Sequence, residues 1–291
     1  MEPNPPVDVT TYYDHTRFDY RLLWSRRSRA VHFGYYDEHA DKHAAALHNL
    51  NRVLADLAGI RPGEAVLDAG CGWGNSSIWL VQHRQARATG ISIVAGQVLD
   101  CQKYALKKGL SHLDFLQADF CQMPFPDASF DVVWACESVC HADRKLAFYR
   151  EAFRVLRPGG RLVMAEYIRA VRPADAPQEA LLAAWLRPWA IPDLDTAEEH
   201  RAHLLAAGFA EGDLQDVTPR VRVSLRNLYE LCLRWLPVGR FLHRLGLVSD
   251  VRLHNARASV RQYEALQAGA WWYGLLLAKK SPAPENRSGA V

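Results

Sequence analysis

The stretch Glu64-Ala-Val-Leu-Asp-Ala-Gly-Cys-Gly-Trp-Gly-Asn75 decides how the chain is read. Val66-Leu67 is a short apolar run of the kind carried by a strand buried on both faces. Asp68 closes it. Gly70, Gly72 and Gly74 then alternate with Cys71 and Trp73, and Ser76-Ser77-Ile78-Trp79-Leu80-Val81 continues as a helix. A backbone passing straight from strand to helix needs residues that tolerate positive φ. A ligand lying against that turn needs the absence of Cβ atoms, and the helix N-terminus offers it free N–H groups. A dinucleotide fingerprint would require a third glycine at position 75, which is Asn75 here.

Composition bounds the setting. The 291 residues are 49% hydrophobic and 23% charged, as in an ordinary globular protein with room for one large α/β domain and insertions. A net charge of +3 is too small to argue for nucleic acid. No apolar run is long enough to span a membrane and no signal-peptide pattern opens the chain. The six cysteines form no C-x-x-C pair, so reduced thiols, no metal site and a cytoplasmic location are expected.

The spacing G-x-G-x-G after Asp68 resembles motif I of the class I S-adenosylmethionine (SAM)-dependent methyltransferases, and matches in the same order cover about residues 31 to 280. The resemblance implies a Rossmann-like α/β fold: a seven-stranded, mostly parallel sheet with helices on both faces, an N-terminal lid and a helical cap. It implies SAM as cofactor, with S-adenosylhomocysteine as product. Asp68, Gly70, Cys71 and Gly72 would take the methionine part. Gly90-Ile-Ser-Ile-Val-Ala-Gly-Gln97 is similar to a segment of the tocopherol, cyclopropane-fatty-acid and prenyl-diphosphate C-methyltransferases, departing from it at Val94 and Ala95. There Ser92 and Gln97 would serve the ribose. Asp119 would accept from the adenine amine, with Phe120 and Cys136 completing the pocket. Leu156-Arg-Pro-Gly-Gly160 matches a structural turn of the same family.

Methyl transfer in such a fold occurs at the end of the fourth strand, Val132-Val-Trp-Ala-Cys136. Glu137-Ser-Val-Cys-His141 follows and resembles the E-S-x-x-H of the tocopherol-like group, so Glu137 and His141 are the candidate bases. Residues 11–37 are dense in aromatics, and His32-Phe33-Gly-Tyr35-Tyr36 resembles the active-site lid of that group. Arg26, Arg27 and Arg29 read either as a solvated face or as contacts for an anionic substrate. Trp185, at helical spacing with Leu181, Leu182 and Trp189, is the cap residue assigned to substrate. Thr196-Ala-Glu-Glu199 reads as a capping box, with His200 and His203 solvated on the helix it opens.

The expected organisation is a tail over 1–10, a lid over 11–60, a core over 61–170 and a cap insertion over 171–195. Core follows over 196–223, a helical cap over 224–268, the last strand over 269–280 and a tail over 281–291. The implied activity is methylation of a small apolar or aromatic metabolite, with C-methylation of a prenyl or phenolic carbon ahead of N- or O-methylation. An RNA or protein methyltransferase and a non-catalytic SAM-binding protein are the other classes weighed. Expected partners are a small-molecule substrate and at most a second copy in a homodimer, with no nucleic acid and no membrane span.

Overall fold

The computed structural model describes residues 9–11, 13 and 28–282. Seven strands form one sheet in the order β3-β2-β1-β4-β5-β7-β6, from β1 (Ala65–Ala69), β2 (Arg87–Ser92), β3 (Leu113–Gln117), β4 (Phe130–Cys136), β5 (Leu156–Arg169), β6 (Gly212–Asp216) and β7 (Trp271–Lys279). β1 to β5 pair in parallel, and β7 runs antiparallel between β5 and β6. The strand order reverses at β1, which has β2 on one side and β4 on the other. In an open α/β sheet that is where a ligand crevice opens at the carboxyl ends.

Period-two alternation sends β4 to both faces. Val132 and Trp134 enter one core with Val66, Leu47, Leu50 and Leu54, the last three from helix α1 (His43–Ala58). Val133 and Ala135 enter the other with Leu67, Phe148, Tyr149 and Ala152, the last three from α4 (Lys145–Val155). Between them in sequence, α2 (Asn75–Arg84) and α3 (Ala95–Lys108) complete the crossovers of the first three strands. The first core continues into α5 (Ala176–Leu186), α7 (Thr218–Arg244) and α8 (Asp250–Gln267), which rise beside the crevice.

Two local readings change. α7 begins at Thr218, so the expected cap at 224–268 starts inside a continuous helix of 27 residues. α6 (Ala197–Ala207) does open on the Thr196 capping box, but His200 is not solvated. Its Nδ1 lies 2.6 Å from the Tyr149 hydroxyl, and burial pushes its pKa down to about 3. Among the described residues no helix is long and apolar enough to cross a membrane.

Candidate active site

The glycine turn sits at the end of β1 with Gly70 at φ 89° and Gly72 at φ 52°, the left-handed region that side chains resist. Space matters as much. A Cβ on Gly70 would come 2.9 Å from Ser138 Oγ and closer still to its Cβ, and one on Gly72 would meet Val31 at 3.4 Å. Ser138 is held there by donating its hydroxyl to the Ala69 carbonyl at 2.6 Å. Asp68 and Cys71 stand behind the turn rather than on the cavity wall. Asp68 accepts from Ser77 Oγ at 2.5 Å, tying strand end to helix start, and burial raises its pKa to about 6 against the pull of that bond.

A cleft of about 350 Å³ opens over the turn, lined by Gly70, Gly72, Ser92, Gln97, Asp119, Phe120 and Cys136. Seven of the nine residues assigned to the cofactor from sequence therefore share one wall. Ser92 Oγ donates to Gln97 Oε1 at 2.8 Å and accepts from the Val94 N–H. Gln97 is buried, yet its Nε2 has no hydrogen-bond partner among the described residues. A buried amide donor costs about 1–3 kcal/mol when unmet, so this atom is a donor available to a ligand. Asp119 lies in the turn after β3, not on the strand, and receives the Cys121 N–H at 2.7 Å. Its carboxylate retains acceptor capacity for an amine.

A second, narrower cavity lies beside the first. Tyr13, Val31, Glu137 and His141 line both, so the junction is made of these four side chains. His141 Nδ1 is 3.1 Å from the Ala190 carbonyl, which can only accept, so Nδ1 carries the proton. Nε2 is then a bare acceptor, and the Tyr13 hydroxyl donates to it at 3.1 Å. Burial drops the His141 pKa to about 4, which keeps the ring neutral.

Glu137 is built differently from a free base. Its Oε1 accepts from the Phe33 N–H at 2.8 Å and from the Tyr273 hydroxyl at 2.7 Å. Its Oε2 accepts from the Tyr167 hydroxyl. Three donors hold one carboxylate, and the one from Phe33 belongs to the lid. The residue pays for this position with φ 51°, which costs a non-glycine residue about 1–2 kcal/mol. Burial is the largest influence on its pKa, raising it.

The rest of the second cavity is mainly apolar: Phe33 from the lid, Trp189 and Ile191 after α5, and Leu228, Leu231 and Trp235 from α7. Arg252, Asn255 and Ser259 of α8 supply polar atoms to the same wall, and Ser259 Oγ donates to the Asn255 carbonyl at 3.1 Å. The lid residues divide. Phe33 lines the cavity. His32 sits below it with Nε2 2.9 Å from Asn75 Oδ1, joining lid to glycine turn. Tyr35 and Tyr36 line neither cavity. The Tyr35 N–H reaches the Ala46 carbonyl, and the Tyr36 hydroxyl accepts from Asn227 at 3.2 Å, so both fasten the lid to the fold.

Trp185 requires correction. It is fully buried behind the cavity, packed on Tyr167 and Trp271, because the apolar face of α5 closes on the sheet there. Arg29 is half-buried and lines neither cavity: it donates to the Trp73 carbonyl at 2.7 Å and to Asp100 at 2.5 Å. Arg26, Arg27 and the lid aromatics Tyr12, Phe18, Tyr20 and Trp24 lie outside the described residues. Sequence reading missed Tyr13 as a partner of His141 and missed the polar stripe Arg252, Asn255, Ser259. The stripe's spacing of three and four was the one available signal.

Comparison with known proteins adds to this geometry. A family model described as a methyltransferase domain matches residues 67–164. The 27-O-demethylrifamycin SV methyltransferase of Amycolatopsis mediterranei is 34% identical over 256 residues, which is 84% of this chain and 92% of that protein. The sterol 24-C-methyltransferase ERG6B of Gibberella zeae is 41% identical over 158 residues, 54% of this chain and 40% of that protein. Among solved structures, the [4+2]-cyclase SpnF superposes with a TM-score of 0.77 at 25% identity, covering 97% of this chain and all (100%) of that one.

Proposed function

Because the chain belongs to the class I SAM-dependent methyltransferases and uses S-adenosylmethionine on a small molecule, we propose that its acceptor atom is a hydroxyl oxygen of a large, apolar metabolite. The observation that carries the reading is the neutral His141, its Nδ1–H given to the Ala190 carbonyl and its Nε2 turned to Tyr13 at the junction. The near full-length O-methylating relative supports it further.

Gly70 and Gly72 would let the cofactor lie on the turn, Gln97 Nε2 would donate to its ribose, and Asp119 would accept from its adenine amine. Bound there, the cofactor supplies a methyl group on a sulfonium, which needs alignment more than activation. The acceptor cavity would do the aligning, since among the described residues Tyr13, Val31, Glu137 and His141 are the ones it shares with the cofactor cleft. A hydroxyl entering from the apolar side meets Tyr13 and His141. As the new O–C bond forms, its proton becomes strongly acidic and passes to Tyr13 while Tyr13 yields its own to His141 Nε2. A base with a pKa near 4 suffices for a proton of that acidity. Glu137, held by three donors, keeps Phe33 and the lid closed over the junction.

A specific observation favours C-methylation as the second reading. Phe33, Tyr167, Trp189 and Trp235 line the cavity, and aromatic faces stabilise a cation formed on an alkene or phenolic carbon. The sterol C-methylating relative supports it over the segment it matches. A diphosphate headgroup fits less well, because Arg252 is the one arginine among the described residues lining the cavity.

The test uses labelled SAM with macrocyclic alcohols, phenols and prenols, mapping the methylated atom by NMR. We expect an O-methyl product and a loss of turnover of about a hundredfold in His141→Ala, with cofactor affinity within a factor of about two. A C-methyl product overturns the hydroxyl reading. An O-methyl product formed at undiminished rate by His141→Ala overturns the base.

A further inference from the structure

Of the twelve large apolar side chains that stand exposed on the described surface, six lie between Val223 and Leu247. Val238, Phe241 and Leu245 recur at three and four residues and so share one face of α7, each more than half exposed. Leu247 extends that face past the helix end at 68% exposure. Solvent is a poor partner for such a stripe, and no described segment covers it.

Charge follows the same hairpin. Residues 218–267 carry nine arginines and three acids, Glu230, Asp250 and Glu264, whereas the remainder of the chain has 26 basic and 29 acidic side chains. The net charge of +3 thus conceals a strongly basic element on a mildly acidic body. Arg234, Arg240 and Arg244 are exposed on α7 around the apolar stripe. A second copy of the chain is a poor occupant, because a two-fold contact would set this basic surface against itself. A nucleic acid would answer the arginines and leave Phe241, Leu245 and Leu247 without a partner.

We propose that the α7–α8 hairpin docks on an anionic phospholipid membrane surface. Val238, Phe241, Leu245 and Leu247 enter the boundary between headgroups and acyl chains, and Arg240 and Arg244 meet the lipid phosphates. The neighbouring face of α7 carries Leu228, Leu231 and Trp235, which line the acceptor cavity. Gly239 lets the Trp235 ring lie along the helix, since any Cβ there would strike that ring. One helix thereby joins the lipid-facing stripe to the apolar cavity, and an apolar substrate dissolved in the bilayer is delivered beside the site. The inference does not depend on which atom is methylated.

The test is flotation of the full chain with vesicles of phosphatidylcholine alone and of phosphatidylcholine with phosphatidylglycerol. We expect binding to the anionic vesicles that weakens with salt. Arg240→Glu with Arg244→Glu should lower the partition coefficient roughly tenfold or more, and Phe241→Ser with Leu245→Ser by a similar factor, with cofactor affinity unchanged. If a double variant loses cofactor affinity too, the single Arg240→Glu carries the test with a loss of about fivefold. Equal binding to both vesicle types, or none, overturns the proposal. So does wild-type partitioning in the variants. A dimer by light scattering that Phe241→Ser with Leu245→Ser converts to monomer also overturns it and assigns the stripe to a second copy.

Discussion

The two cavities that meet at His141 differ in how fully their polar groups are partnered. On the cofactor side a buried carboxylate rests on one side-chain donor and a buried amide donor is left over among the described residues. Asp68 is a buried carboxylate with its pKa raised to about 6, and Gln97 Nε2 has no partner among the described residues. On the acceptor side Glu137 accepts three hydrogen bonds, both nitrogens of His141 are engaged, and the Tyr167 and Ser259 hydroxyls donate within the fold. The first cavity is prepared for one polar ligand that completes it. The second is complete without a ligand and selects by shape. Binding energy should therefore concentrate in single residues on the first side and spread over many on the second.

The largest break of that contrast is expected at Gly70→Ala. The added Cβ collides with Ser138 and must adopt φ 89°. Overpacking and backbone strain together cost roughly 3–5 kcal/mol, so cofactor affinity by calorimetry should fall about a hundredfold or more. Unchanged affinity would mean the turn does not carry the cofactor.

Asp68→Asn should split stability from binding. The folded pKa of Asp68 lies above its ordinary value of 3.8. The stability this grants is full below pH 3.8 and is lost as pH rises through about 6. A neutral amide escapes that loss. The cofactor-free variant should thus be more stable than wild type at pH 7 by up to about 3 kcal/mol and indistinguishable near pH 4. Cofactor affinity should drop by tens of fold, since the amide lacks the charge. Thermal melts at the two pH values decide it; a destabilised variant at pH 7 would show that the carboxylate is not held at a cost.

Glu137→Gln sharpens the contrast from the other side. A glutamine oxygen can keep some of the three bonds, but its NH2 cannot accept from Phe33, Tyr167 or Tyr273. A loosened lid should raise KM for the methyl acceptor about tenfold while cofactor affinity holds. A large fall in kcat at unchanged KM would instead make Glu137 the base and displace His141 from that role.

These differences also explain what could be read from sequence. Gly70, Gly72, Ser92, Gln97 and Asp119 cluster where β1, β2 and β3 end and the next helix or turn begins, and their residue types and spacing form short local motifs, so they stand out in a linear chain. The acceptor wall draws Phe33, Trp189, Leu228, Trp235 and Ser259 from separate segments, each an ordinary core-like residue in its own context. Trp185 and Trp189 share one apolar pattern, yet one faces the sheet and the other the cavity. Periodicity reports that a face is buried and does not report against what. Tyr13 and His141 are 128 positions apart, and only the folded chain brings them together.

Gln97→Leu is the smallest change and the finest probe of the comparison. In the free protein the Gln97 amide meets Ser92 with Oε1 and no described residue with Nε2, and turning the amide over would strand the oxygen instead. Leucine fills nearly the same volume without a stranded atom, though it also releases the Ser92 hydroxyl from its acceptor. The two effects are each about 1 kcal/mol and opposed, so stability of the cofactor-free protein should change little or rise slightly. Cofactor affinity should fall about fivefold, the worth of one neutral hydrogen bond. The informative quantity is the separation of the two: affinity lost without stability lost means that the donor was kept for the ligand. If instead stability falls by 2 kcal/mol or so and affinity with it, Gln97 is a structural member of the β2 turn, and the cofactor side is as self-sufficient as the acceptor side.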